Sequence, residues 1–290
     1  MQSRAKILVL HHENQPRETE AHYLVSPMGA MWSSWGCAVR HQFGVAQEAD
    51  ADIVIVHVDL SVVPDEYLEY ALKFPCRVNV GLTDIRKSRI SRNLVTLDDD
   101  FLGPVIVKTD LNHGGTPEVR LGIRAARSPG LLDRVKGRLG LRNPLLMNGP
   151  HDYCVYERKA DVPRAVFDDP SLVVERFLGE SATSGFLHRR YLFFGDVEIN
   201  QSWSGRNAVN HGDHAQEELP TGEVPEELRR LRAELKADFG KIDYAIVDGE
   251  AQAFDVNRTP SGWVDDPIEE DALWAREVSS TLARGLEKWL

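Results

Sequence analysis

The stretch Lys241–Pro260, KIDYAIVDGEAQAFDVNRTP, decides how the rest of the chain is read. Its two apolar runs, 241–247 and 251–257, flank Asp248-Gly249, a dipeptide that favours a tight hairpin turn. Alternate residues of a strand share a face, so Asp255 and Asn257 point the same way, about 7 Å apart. Two oxygen donors on one face suit a hard cation such as magnesium, which takes carboxylates together with substrate phosphates. Asp243 lies on the partner strand. A connecting loop of odd length would set it directly across from Asp255. A two-residue turn would set it opposite Phe254, on the wrong face. A metal site here therefore predicts a loop of three or five residues. Taken one at a time, these side chains read as the wet face of a hairpin; all three with Lys241 beside them favour a site.

Two further stretches lie upstream. Pro104–Lys108, PVIVK, is an apolar strand that ends in a lysine, followed by Asn112-His113-Gly114-Gly115. A lysine at a strand end can turn into a cleft, and a Gly-Gly pair lets backbone N–H groups approach an anion. The alternative is an edge-strand lysine and an ordinary turn. Leu172–Glu180, LVVERFLGE, is a buried strand running into a linker. Exposed backbone groups at Phe177 and Leu178 could meet a nucleobase edge, with Glu180 placed for ribose hydroxyls. The alternative for Glu175 is an edge residue beside an apolar strand.

Nearer the N-terminus the pattern changes. Lys6–Leu10, Asp52–Val58 and Cys76–Val80 read as strands, with a loop at Pro27-Met28-Gly29, a helix containing Trp32 and Trp35, and a second helix over Pro64–Phe74. This rhythm predicts a small parallel sheet covered by helices. No G-x-G-x-x-G follows the first strand. Asp84–Asn93 is a basic connector. Later, short strands and hairpins predominate, with helices over 161–167, 223–239 and 268–290. The expected fold class is α/β: a parallel α/β unit over 1–83, then mostly antiparallel sheets with flanking helices over 84–290, in subdomains of about 84–175 and 176–290.

The chain has 290 residues and a formal net charge of −11, which argues against nucleic acid or an anionic membrane as a general partner. No apolar stretch is long enough for a bilayer. Three separated cysteines form neither a disulfide framework nor a zinc pattern, and point to a reducing, cytoplasmic location. The histidines are scattered without metal-ligand spacing, and no Ser-His-Asp or Cys-His arrangement stands out.

The order of these pieces resembles the ATP-grasp superfamily, the fold of D-alanine–D-alanine ligase, glutathione synthetase and RimK-type glutamate ligases. The resemblance covers roughly 84–290 and rests on four motifs in order, with 67 residues from Lys108 to Glu175 and 12 from Asp243 to Asp255. It implies ATP and Mg2+ as cofactors. Lys108 would hold the α- and β-phosphates, with His113, Gly114 and Gly115 as the phosphate loop. Lys87 would be a second nucleotide lysine, with Arg86, Arg89 and Arg92 as rivals for that place. Glu175, Phe177 and Leu178 would contact adenine and Glu180 the ribose. Asp243, Asp255 and Asn257 would bind magnesium. Lys241, Arg190 and Arg206 would face the transferred phosphate, and Asn210 and Arg258 the substrate.

Two departures stand out. A segment from Glu118 to Arg142 holds seven basic and two acidic residues, readable as a solvated helix or as a lid. The first carboxylate of the metal pair is Asp255 where Glu is commoner. The implied activity is ATP-dependent carboxylate–amine ligation through an acyl phosphate, on small-molecule or peptide substrates. A kinase and a non-catalytic nucleotide-binding protein are the alternatives, and homodimerisation is left open.

Overall fold

The computed structural model describes residues 4–128, 130, 143–183, 185–209, 217–219, 221–262 and 268–290. Asn210 and the basic residues Arg134, Lys136, Arg138 and Arg142 lie outside them.

Four parallel strands come first: β1 (Lys6–His11), β2 (Ala38–Phe43), β3 (Ile53–Val56) and β4 (Cys76–Val78), in the order β2-β1-β3-β4. All four residues of β3 are buried, as a strand covered on both faces requires. On one face Ile7, Val9, Ile53 and Ile55 pack against α1 (Val25–Ser34). On the other, Leu8, Leu10, Val54 and Val56 pack against Tyr67 and Tyr70 of α2 (Asp65–Ala71). The loop expected at Pro27-Met28-Gly29 is instead helical: α1 runs straight through it. Pro27 falls in the first turn, where a missing N–H costs no hydrogen bond.

The basic connector contributes a single turn, α3 (Lys87–Ile90). A three-stranded antiparallel sheet follows, ordered β6-β5-β7, from β5 (Val105–Thr109), β6 (Cys154–Tyr156) and β7 (Leu172–Arg176). Two short helices, α4 (Thr116–Arg120) and α5 (Arg164–Phe167), accompany it. The lysine strand β5 is central, so Lys108 is not an edge residue.

The largest sheet is antiparallel and ordered β11-β10-β9-β12-β13, with β8 (Glu180–Ala182) paired to β9. Its strands are β9 (Gly185–Phe194), β10 (Val197–Gly205), β11 (Glu217–Leu219), β12 (Phe239–Val247) and β13 (Glu250–Asn257). One face carries Tyr191, Phe193, Ile242 and Val256 against α6 (Glu226–Glu234). The other carries Leu192, Phe194 and Phe239 against α7 (Glu269–Ala283) and the parallel sheet. The Trp32 indole N–H donates to the Ala283 carbonyl at 2.9 Å, so this shared core leaves that buried donor satisfied. The terminal helix tightens to a 3-10 turn at Arg284–Trp289. There a Cβ on Gly285 would stand 1.9 Å from the Phe194 carbonyl oxygen, so only glycine permits the contact.

Candidate active site

Register in the β12–β13 hairpin decides which side chains meet. The turn is two residues long, with Val247 paired to Glu250 and both Asp248 and Gly249 at positive φ. The expected loop of three or five residues is therefore incorrect. Asp243 nonetheless pairs with Asp255, because a β-bulge intervenes: Tyr244 pairs with Ala253, leaving Phe254 as the extra residue. A bulge adds one residue to one strand and so restores the face that a two-residue turn would have lost.

The pairing extends across the sheet. Asp255 faces Asp243, Asp243 faces Arg190, and Arg190 faces Gln201, on four successive strands. Lys241 pairs with Asn257 in the next same-face row. Directly opposed residues share a face, so the sheet presents one polar belt. Arg190 lies between two indoles, 4.3 Å from the Trp203 ring centroid and 4.1 Å from that of Trp274. Its Nε donates to Gln201 Oε1, as does the Trp274 indole N–H, both at 2.9 Å. The guanidinium plane is thereby held across the belt.

Three lysine–carboxylate pairs converge here. Lys241 Nζ is 2.7 Å from Asp243 Oδ2. Lys87 Nζ is 3.2 Å from Asp255 Oδ1 and donates to the Leu111 carbonyl at 2.9 Å. Lys108 Nζ is 2.7 Å from Glu175 Oε2 and 5.1 Å from the Phe254 ring centroid. The bulged residue thus meets the strand of the smaller sheet. Neither Glu175 oxygen, nor Asp255 Oδ1, accepts a well-directed hydrogen bond among the described residues. The Lys108 and Lys87 pairs are close but oblique, and an ammonium held by charge more than by direction can turn to another anion.

The electrostatics follow from this crowding. Burial pushes the Asp255 carboxyl upward, but Lys87, Lys241 and Lys108 outweigh it and hold it below the ordinary carboxylate range. Burial pushes Lys87 downward, yet Tyr153, Asp255 and Glu175 hold it above the usual lysine range. Both groups are therefore charged at neutral pH. Among the rivals in the connector, Arg86 is engaged by Asp84 and Arg92 by Glu234, and Arg89 lies 69% exposed near Asp84. Lys87 alone of the four pairs with a belt residue.

Beside the lysines, the 3-10 turn Asn112–Gly115 has positive φ at His113, Gly114 and Gly115. A Cβ on Gly114 would lie 2.3 Å from the Gly149 carbonyl carbon, so glycine is obligatory there. His113 sits near enough to Asp255, Asp59, Lys241 and Lys87 to feel their charges. In the linker after β7, the Phe177 N–H already donates to the Pro104 carbonyl at 2.9 Å. A main-chain donor for a base edge can then come from Leu178 but not from Phe177. Glu180 accepts both Nε and Nη2 of Arg189 and the Ile246 N–H.

Other expected residues lie elsewhere. Arg206 is exposed just past Gly205, and Gly205 is four residues, about 13 Å of strand, from Gln201 in the belt. Arg258 is 1% exposed, donates to the Ser61 carbonyl, and keeps Nε and Nη1 without partners among the described residues. Burial pushes it down to about 10 against the pull of Asp84, Asp59 and Glu118. In the basic segment, Arg120 pairs with Asp59, and Arg127 bonds the Leu145 carbonyl, Asp169 and Ser171. That described part is tied into the body of the protein.

The sequence reading missed a network behind Asn257. The Thr259 N–H donates to Asn257 Oδ1 at 2.8 Å, and Thr259 Oγ1 donates to Asp59 Oδ1 at 2.7 Å. Tyr23 donates to Asp59 Oδ2 at 2.8 Å. The Asn257-Arg258-Thr259 spacing, an Asx-turn pattern, was the legible signal; Asp59, 200 residues away, left none. Two carboxylates and an amide oxygen on adjacent strands form an all-oxygen donor set, which fits magnesium.

No protein-family model matches the sequence, and no curated protein matches it. Solved structures do match. A RimK-domain ATP-grasp protein from Sphaerobacter thermophilus aligns over 97% of this chain and 99% of its own, at TM-score 0.50 and 11% identity. A RiPP-associated ATP-grasp ligase from Chryseobacterium gregarium, in complex with ADP and a leader and core peptide, aligns over 96% of both chains at TM-score 0.50 and 10% identity. With three sheets in this arrangement and likeness along almost its whole length, the chain has the ATP-grasp fold.

Proposed function

We propose that this protein is an ATP-dependent carboxylate–amine ligase that works through an acyl phosphate. The observation that carries the reading is the convergence of three lysine–carboxylate pairs between the small and large sheets. Phosphoryl transfer needs positioned positive charge more than a protein nucleophile. Lys108 and Lys87 exchange their carboxylates for the nucleotide phosphates. The backbone of Leu178 holds the adenine edge, in a pocket with Glu175 and Phe177, and Glu180 lies toward the ribose. Lys241 and Arg190 face the transferred phosphoryl group, with Arg190 kept in plane by Trp203 and Trp274. Asp243, Asp255 and Asn257 would hold magnesium, which supplies charge neutralisation on the phosphate oxygens.

In the first step a substrate carboxylate oxygen bonds to the γ-phosphorus, the bond from that phosphorus to the bridging oxygen breaks, and ADP leaves. In the second, an amine attacks the acyl carbon, loses a proton and expels inorganic phosphate. The Chryseobacterium ligase carries a peptide, which supports including peptides among the acids and amines tried here. The direct test is a pooled screen of carboxylates, amines and peptides for ATP-dependent phosphate release, with mass spectrometry of products. A condensed product with ADP and phosphate is expected. A phosphorylated product without condensation would establish a kinase instead, and ATP binding without turnover on any pool would overturn the enzymatic reading.

A further inference from the structure

Away from the belt, the parallel sheet gathers three imidazoles. His11 closes β1, His41 lies on β2 and His57 follows β3, and the His57 N–H bonds the Leu10 carbonyl at 2.9 Å. The His11 ring lies 5.2 Å from that of His41 and 5.1 Å from that of His57, centroid to centroid. All three are at the carboxyl side of a sheet ordered β2-β1-β3-β4. The chain leaves β1 to one side for β2 and returns to the other for β3. The strand order reverses between β1 and β3, the usual ligand position in open α/β sheets, and His11 and His57 flank that point while His41 stands on the other side of β1. Glu20 reaches the cluster from the 3-10 turn Arg17–His22.

The donor atoms converge. His41 Nδ1 is 3.0 Å from His11 Nε2 and 2.8 Å from Glu20 Oε1, and each of the three residues offers one ligand atom within 4.8 Å of those of the other two. A neutral His41 has at Nδ1 either one proton or one lone pair. If it donates to Glu20, it has no acceptor site for His11. If it accepts from His11, it turns a lone pair toward the Glu20 carboxylate. A cation that takes a lone pair from each of the three removes this conflict. His57 adds an independent sign: it is 1% exposed, and neither ring nitrogen has a partner among the described residues. A buried polar group left unpaired calls for a physical cause.

We propose that His11, His41 and Glu20 form a binding site for a borderline divalent transition-metal ion of the zinc type. Two imidazole nitrogens with one carboxylate oxygen favour zinc, cobalt or nickel over magnesium or calcium, which prefer oxygen alone. Burial keeps the imidazoles in the neutral, ligating form. Metal–ligand bonds of about 2.0–2.1 Å place tetrahedral ligands about 3.3 Å apart. The observed 3.0 and 2.8 Å contacts must open by a few tenths of an ångström, and the His11 and His41 rings, now 14° from parallel, must tilt toward a common point. His41 and Glu20 keep 19% and 26% of their side chains exposed, which gives the ion an entrance and room for a water ligand. The site shares no ligand with the all-oxygen set at Asp243, Asp255 and Asn257, so it stands whether or not the protein is a ligase.

The test uses the untagged full chain, stripped with a chelator and titrated with Co2+ while its visible absorption is followed, then displaced with Zn2+. One saturable equivalent is expected, with affinity reduced at least about a hundredfold in both His41→Ala and Glu20→Gln. The signal should persist in Asp255→Asn. Absence of saturable binding, unchanged affinity in the His41 and Glu20 variants, or loss of the site in Asp255→Asn would each overturn the assignment. Glu20→Gln removes only a partly exposed charge, so it tests the site even if His41→Ala does not fold.

Discussion

Lowering the pH from 7 to 5 should strip this protein of a large part of its stability, through three histidines. Burial, the main cause in each case, drives His11 down to about 2, His57 to about 3 and His41 to about 4, from an ordinary value of 6.5. The unfolded chain takes up these protons below pH 6.5 and the folded chain does not. Stability is therefore complete above pH 6.5 and drains away as pH falls toward 4, where His41 also begins to charge in the fold. Integrating the linkage relation from pH 7 to 5 gives about 1.9 kcal/mol per histidine. Since His41 is partly exposed, the three together lose about 4–5 kcal/mol, against a typical total of about 5–15 kcal/mol. Urea unfolding in metal-free buffer at the two pH values measures the difference. His57→Phe removes one titrating ring, so its loss should be smaller by about a third. Equal stability at both pH values, or an undiminished loss in His57→Phe, would show that these imidazoles are not held neutral by burial.

Asp255→Asn leaves Lys87, 2% exposed, without its nearest counter-charge, and should destabilise by about 2–3 kcal/mol while abolishing magnesium-dependent turnover. Chemical unfolding and an ADP-release assay check both, and retained turnover would remove Asp255 from the metal site. Lys108→Met isolates Glu175, which is 0% exposed; it should weaken ATP binding at least about tenfold and cost about 3–5 kcal/mol, read by calorimetry and by urea melts. Asp59→Ala frees Thr259 and loosens Asn257, so the magnesium concentration needed for half-maximal turnover should rise while affinity for metal-free ADP is unchanged. A nucleotide affinity that falls in parallel would show that Asp59 supports the fold generally and not the metal ligand.

Much of the site could be read from local pattern. A period of two put Asp255 and Asn257 on one face; the meeting of Lys108 with Glu175 was not legible, because it depends on the register that sets Ile106 opposite Glu175. The connector was harder. Four basic residues in DIRKSRISRN are equivalent in composition, and only the single turn α3 selects Lys87 for the cleft. Likewise the helix through Pro27 was hidden because a proline reads as a breaker until its place in the first turn is known.

Local pattern supplied most of the strands and helices, the chemistry of the lysine and aspartate strands, and their resemblance to a known fold; it missed β2 (Ala38–Phe43), where only a loop and a helix were expected. The features it supplied depend on periodicity and residue type, which are local. Register and convergence came from packing in three dimensions. The bulge at Phe254 sets Asp243 against Asp255 despite a two-residue turn, because the extra residue restores the alternation of faces. His11 and His41, 30 residues apart, meet only because β1 and β2 pair in parallel, and Asp59 reaches Thr259 across 200 residues. Contacts of that kind arise from packing between distant segments, which no local periodicity encodes.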